Sequence, residues 1–146
     1  MRRPNLTTGF LTAMFTAAVA TSALAASPSI ESVQLWDKSD GSQGMTVSLE
    51  TVKAGDVTFE VTNVSEHEDH ELLLLKTDKT PDQFELDDSG TRVDEEKLDG
   101  VKELGDLKIG ETSKHMVALI PGRYLMFCNE PGHFGAGMYH ELIVTP

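Results

Sequence analysis

From Ser32 to Val144 the chain is a succession of short runs in which apolar and polar residues alternate, separated by glycine, proline and acidic turns. A period of two puts successive side chains on opposite faces of an extended strand, so each run needs another layer to cover its apolar face. The clearest run is Val57 to Thr62, after the turn Lys53-Ala54-Gly55-Asp56, which places Val57, Phe59 and Val61 on one side. Ser32 to Asp37, Met45 to Leu49, Thr112 to Ile120, Tyr124 to Phe127 and Tyr139 to Val144 are further candidates. Glu71 to Leu75 is nearly continuous in apolar residues, the pattern of a strand buried on both faces. Seven or so short strands with turn chemistry between them predict an all-β chain, an antiparallel sandwich or barrel.

The segment Asp78 to Asp106 breaks the pattern. It is acidic, and Pro81, Gly90, Gly100 and Gly105 are scattered through it. Leu98, Val101 and Leu104 are three apart, which fits a short helix over Val93 to Leu104 with Asp94, Glu95 and Glu96 at its N-terminus. The carboxylates do not make a calcium loop, because Asp87-Asp88-Ser89-Gly90 lacks the alternating oxygen ligands and the glycine at the sixth position. The segment reads as a long solvated connection.

Met1 to Ala25 has a different character: Arg2 and Arg3, an apolar stretch from Phe10 to Ala20, then Ala23-Leu24-Ala25. This is the layout of a cleaved secretory signal, with residues 26–146 as the single mature domain and the periplasm as its expected location. Later apolar runs are too short to span a bilayer, so no membrane insertion is expected. Removing residues 1–25 takes away two arginines and no acid, moving the formal charge from −12 to −14. So acidic a chain offers no basic stripe for nucleic acid. Ten of its 24 acids lie between Asp82 and Asp106, so the acidity is partly local.

The chain has one cysteine, which excludes an internal disulfide and any four-cysteine metal site. An unpaired thiol in an oxidising compartment is a liability unless something occupies it. Cys128 begins a loop in which His133 and Met138 follow at five-residue steps, between two expected strands. Pro131, Gly132, Gly135 and Gly137 supply the tight turns that let the three side chains converge. Thiolate, imidazole and thioether together suit copper in both oxidation states, whereas thioether is a poor zinc ligand. A trigonal copper site needs a second histidine, and His70, at the start of the buried strand, is the best placed. His67 competes with it, and His67 and His70 amid acidic neighbours could instead form a surface metal site. His115 reads as structural, and His140 as a surface residue or an extra metal or proton contact near the site.

The chain resembles the cupredoxins, the plastocyanin/azurin superfamily of single-domain blue copper proteins. The likeness lies in Ala54-Gly55-Asp56-Val57-Thr58-Phe59, in Asn63 to His70-Glu71-Leu72, and in Pro121-Gly122-Arg123-Tyr124 leading to Cys128. It continues through Gly132-His133, Gly137-Met138 and Leu142-Ile143-Val144. The Cys-x4-His-x4-Met spacing is similar to that of rusticyanin and plantacyanin. The resemblance implies a Greek-key β-sandwich of about seven or eight strands and one type 1 copper, with His70, Cys128 and His133 equatorial and Met138 axial. One departure stands out. Relatives usually carry Asn after the first histidine, where this chain has Glu71; a carboxylate pointing at the thiolate would stabilise Cu(II).

Two functions fit these residues. One is a one-electron carrier with His133 as the exit, ringed by Pro131, Phe134, Gly135, Ala136 and Tyr139. It would act as a monomer on a redox partner such as a basic cytochrome. The other is a periplasmic copper carrier or resistance protein without electron traffic. Five histidines cannot supply the additional centres of a copper enzyme, so no enzymatic activity is expected.

Overall fold

The computed structural model describes residues 29–146, so the expected secretory signal lies outside the described residues. Among the described residues, nine strands form two sheets. They are β1 Ser29–Asp37, β2 Gln43–Val47, β3 Thr51–Lys53, β4 Gly55–Asn63, β5 His70–Lys76, β6 Lys102–Leu107, β7 Thr112–Leu119, β8 Gly122–Phe127 and β9 Tyr139–Thr145. One sheet runs β2-β1-β4-β7 and the other β3-β9-β8-β5-β6. Two neighbouring pairs, β1 with β4 and β3 with β9, are parallel, so the sandwich is mixed rather than wholly antiparallel.

The alternation does what the sequence requires. Val33 and Leu35 of β1, Val57, Phe59 and Val61 of β4, Leu72 and Leu74 of β5, and Tyr124 and Met126 of β8 fill the space between the sheets. Cys128 and Met138 belong to this same cluster. Burying a large apolar side chain contributes about 1.5–3 kcal/mol relative to leaving it in water, so this layer carries the fold.

The long connection corrects the sequence reading in two respects. There is no helix over Val93 to Leu104: Glu95–Lys97 is a single 3-10 turn capped by Asp94, and the chain is extended again from Lys102. Gly100, with φ +76, ends that stretch in a conformation a helix cannot use. Nor is the connection merely solvated. Phe84 and Val93 are buried with Leu73, Leu75, Leu125, Phe127 and Phe134 in a second cluster. Leu73 and Leu75 alternate with residues of the inter-sheet core, so this cluster covers the opposite face of the second sheet. β5 is therefore buried on both sides, as its continuous apolar run predicts.

Candidate metal centre

β5 opens with His70, the chain leaves β8 into Cys128, and the loop after it carries His133 and Met138 back to β9. Backbone hydrogen bonds close that loop on itself. Cys128 N–H donates to Met138 C=O at 3.0 Å, Met138 N–H to His133 C=O at 3.0 Å, and His133 N–H to Glu130 C=O at 3.0 Å. Gly132 at φ +85 and Gly137 at φ +92 take the left-handed turns this path needs.

The loop brings the expected donors together. Donor atoms of His70, Cys128 and His133 all lie within 4.8 Å of one another, and this is the one such group of three among the described residues. His70 Nδ1 is 3.2 Å from His133 Nδ1, and Cys128 Sγ is 3.8 Å from the first and 3.4 Å from the second. A first-row metal ion at the centre of a triangle, about 2.0 Å from each nitrogen and about 2.3 Å from sulfur, separates its donors by about 3.5–3.7 Å. The observed spacing fits such an ion. His70, Cys128 and Met138 have no exposed surface, and His133 is 8% exposed.

Burial disfavours the charged forms of Cys128 and His70. It pushes the Cys128 thiol up to about 11, against the backbone hydrogen bonds of Glu130 and Glu71. It pushes the His70 ring down, reinforced by its proximity to His133. A soft thiol and two imidazoles, aimed at one point and protected from water, form a cradle for a cation that converts the thiol to thiolate.

The remaining histidines separate cleanly. His67 is exposed and turned outward, with its Nδ1 3.0 Å from Asp37 Oδ2, while His70 points its Nδ1 at Cys128. The two do not share a surface metal site. His115 is half-buried on β7 and His140 half-buried at the start of β9. Glu71 stands among Glu95, Glu103 and Glu130 with Arg92 nearby, and burial followed by these carboxylates raises it to about 7.

Sequence reasoning missed what fastens the loop. Asn129 accepts from Val93 N–H at 2.7 Å and donates to Val93 C=O at 3.1 Å and to Glu95 Oε1 at 2.6 Å. Arg92 pairs with Glu130 at 2.9 Å, and Gly132 N–H donates to Thr91 C=O at 2.8 Å. The acidic connection is thus a brace on the loop that holds Cys128 and His133. The first histidine is braced by Asn63, whose Nδ2 donates to Glu68 C=O at 3.0 Å and Leu107 C=O at 2.9 Å. Only the fold shows the long-range partners of these two Asn residues.

No protein-family model and no curated protein matches the chain. Solved structures do. Reduced auracyanin of the photosynthetic bacterium Roseiflexus castenholzii superposes with a TM-score of 0.53 at 19% identity, over 84% of this chain and 100% of that one. Auracyanin B gives 0.54 at 19%, over 86% and 96%. The copper protein rusticyanin gives 0.55 at 19%, over 82% and 80%. The chain has the cupredoxin fold, and its buried histidine–cysteine–histidine trio beside Met138 is a donor set for one type 1 copper ion.

Proposed function

We propose that the protein is an exported one-electron carrier in which His70, Cys128, His133 and Met138 would hold one copper ion. When bound, copper supplies a one-electron Cu(I)/Cu(II) couple. The observation that carries the reading is the convergence of three donors in a buried, braced pocket. A site held from two directions, by Asn63 and by Asn129, resists rearrangement. That suits a group required to change charge without changing shape. Delivery of copper between proteins favours ligands that can open, and this pocket has backbone hydrogen bonds on every ligand loop. A role in catalysis is not proposed: the donors are enclosed rather than set in a substrate cleft.

His133 is the contact point for a partner, being the one member of the donor set with exposed surface. Its surroundings differ from the expected apolar ring, because Phe134 is buried against Phe84 and Phe127. Pro131, Gly135, Ala136 and Tyr139 remain exposed. Beside them a hollow of about 320 Å³ is lined by Glu68, Asp69, Glu130, Pro131 and His133. Carboxylates at the contact point favour a positively charged redox protein, such as a basic cytochrome, and make its association salt-dependent. The auracyanin and rusticyanin structures agree in fold, and rusticyanin is a copper protein, which supports the same metal. The N-terminal pattern of Arg2-Arg3, an apolar stretch and Ala23-Leu24-Ala25 supports export to the periplasm.

Stopped-flow mixing with basic cytochromes over a salt series tests this function. Fast exchange that slows as salt rises is expected. Slow, salt-independent exchange together with tight handover of Cu(I) to a chelating protein would replace the carrier by the copper-delivery reading.

A further inference from the structure

The side of each histidine ring that faces away from Cys128 has its own carboxylate. β1 delivers Asp37, 6% exposed, to the metal end of the sandwich. Its Oδ1 lies 3.9 Å from His70 Nε2, a fully buried nitrogen with no hydrogen-bond partner. Across the site, Glu68 Oε2 lies 3.0 Å from His133 Nε2. The two acids are joined: Asp37 Oδ1 accepts from the backbone N–H of Glu68 at 3.1 Å and of His67 at 3.2 Å, and Oδ2 pairs with His67 Nδ1 at 3.0 Å. Asp37 therefore anchors the turn from which Glu68 reaches the second histidine.

From this pairing we infer that Asp37 and Glu68 are positioning residues, fixing both rings with Nδ1 free for copper and biasing the bound ion toward Cu(II). The inference rests on the copper reading above. An imidazole whose Nε2 faces a carboxylate keeps its proton on that nitrogen, which leaves the Nδ1 lone pair for a metal and fixes the ring's orientation. A negative charge behind each ring also favours the more highly charged oxidation state. Asp37 is the stronger of the two, because it is buried while the Glu68 side chain is half-exposed and screened by water. Neither residue touches the donor atoms, so their effect is on tautomer and potential rather than on ligand number.

Two measurements test this. In the metal-free full-length mature protein, ring nitrogen NMR is expected to show His70 and His133 with the proton on Nε2. A proton on His70 Nδ1 overturns the inference whether or not copper binds. In the copper-loaded protein, Asp37→Asn is expected to shift the Cu(I)/Cu(II) equilibrium about tenfold toward Cu(I), about 59 mV for a one-electron couple. Glu68→Gln is expected to shift it about threefold in the same direction. Glu66→Gln, which removes a charge from the same turn where it holds Ser39, leaves it unchanged. Blue protein whose potential ignores both substitutions, or follows Glu66 equally, overturns the inference and leaves the copper function standing. Wild-type protein that forms no thiolate–copper band overturns the function itself, with the NMR result still deciding the placement of the ring protons. If Asp37→Asn does not fold, Glu68→Gln and the wild-type tautomers decide it.

Discussion

Asn129 grips Val93 by both backbone groups, accepting from its N–H at 2.7 Å and donating to its C=O at 3.1 Å. This one side chain fastens the acidic connection to the residue following Cys128. Replacing it with alanine leaves two buried backbone groups without partners, each costing about 1–3 kcal/mol. Asn129→Ala is expected to lower stability to denaturant and to speed amide exchange at Gly132 and His133. Unchanged exchange in the 129–138 loop would show that the brace does not hold it.

Phe84 makes the same point through packing. It meets Phe134 at 5.7 Å and Phe127 at 6.2 Å between ring centroids, so the connection lends an aromatic wall to the metal loop. Phe84→Ala is expected to cost about 3 kcal/mol in chemical unfolding. A cost near zero would mean that the connection is solvated, as its acidity suggests.

The strands and the loop from Cys128 to His133 were legible because each depends on local pattern. Alternation at Val57, Phe59 and Val61 forces a strand, and Cys128, His133 and Met138 are spaced within one loop. β6 was not legible, since half of Lys102-Glu103-Leu104-Gly105-Asp106-Leu107 is charged and its pairing with β5 shifts register between Leu72 and Leu73. Gly105 lies opposite Leu72 at φ +153, and a Cβ there would come within 2.7 Å of Ser113 Oγ. The spacing of Leu98, Val101 and Leu104 imitated a helix although the first two face the outer cluster and the third faces the core. Asp37 and Asn129 act over 30 residues or more of sequence, a distance at which no pattern of residue types identifies partners.

Two carboxylates set opposite limits on the stability of the metal-free protein. Glu71 has its pKa raised from 4.5 to about 7, by burial first and then by Glu95, Glu103 and Glu130. The native state then binds more protons than the unfolded state between those values, so its contribution is complete below pH 4.5 and lost as pH rises toward 7. Burial would raise Asp37, but hydrogen bonds from His67, Ser65 and Glu68 outweigh it and lower the group from 3.8 to about 2. Its contribution is present above pH 3.8 and lost as pH falls toward 2. Thermal melts of the metal-free protein are expected to decline from pH 4.5 to 7, and Glu71→Gln to flatten that decline. A wild-type melting temperature that climbs across this window contradicts the assignment.

His70 and His67 are three residues apart but differ completely in environment, the first fully buried and the second with its side chain 56% exposed. His70→Ala is expected to abolish the thiolate–copper absorption, and His67→Ala to retain it. The reverse result would move the equatorial ligand to the surface turn.

The most direct test of the copper centre is a spectroscopic titration of the mature protein with Cu(II), alongside Cys128→Ser. The donor geometry predicts saturation at one copper per chain, with intense visible absorption from thiolate to copper that the serine variant lacks. Wild-type protein that stays colourless, or a serine variant that keeps the colour, would contradict the assignment of Cys128 as the ligand at the heart of this site.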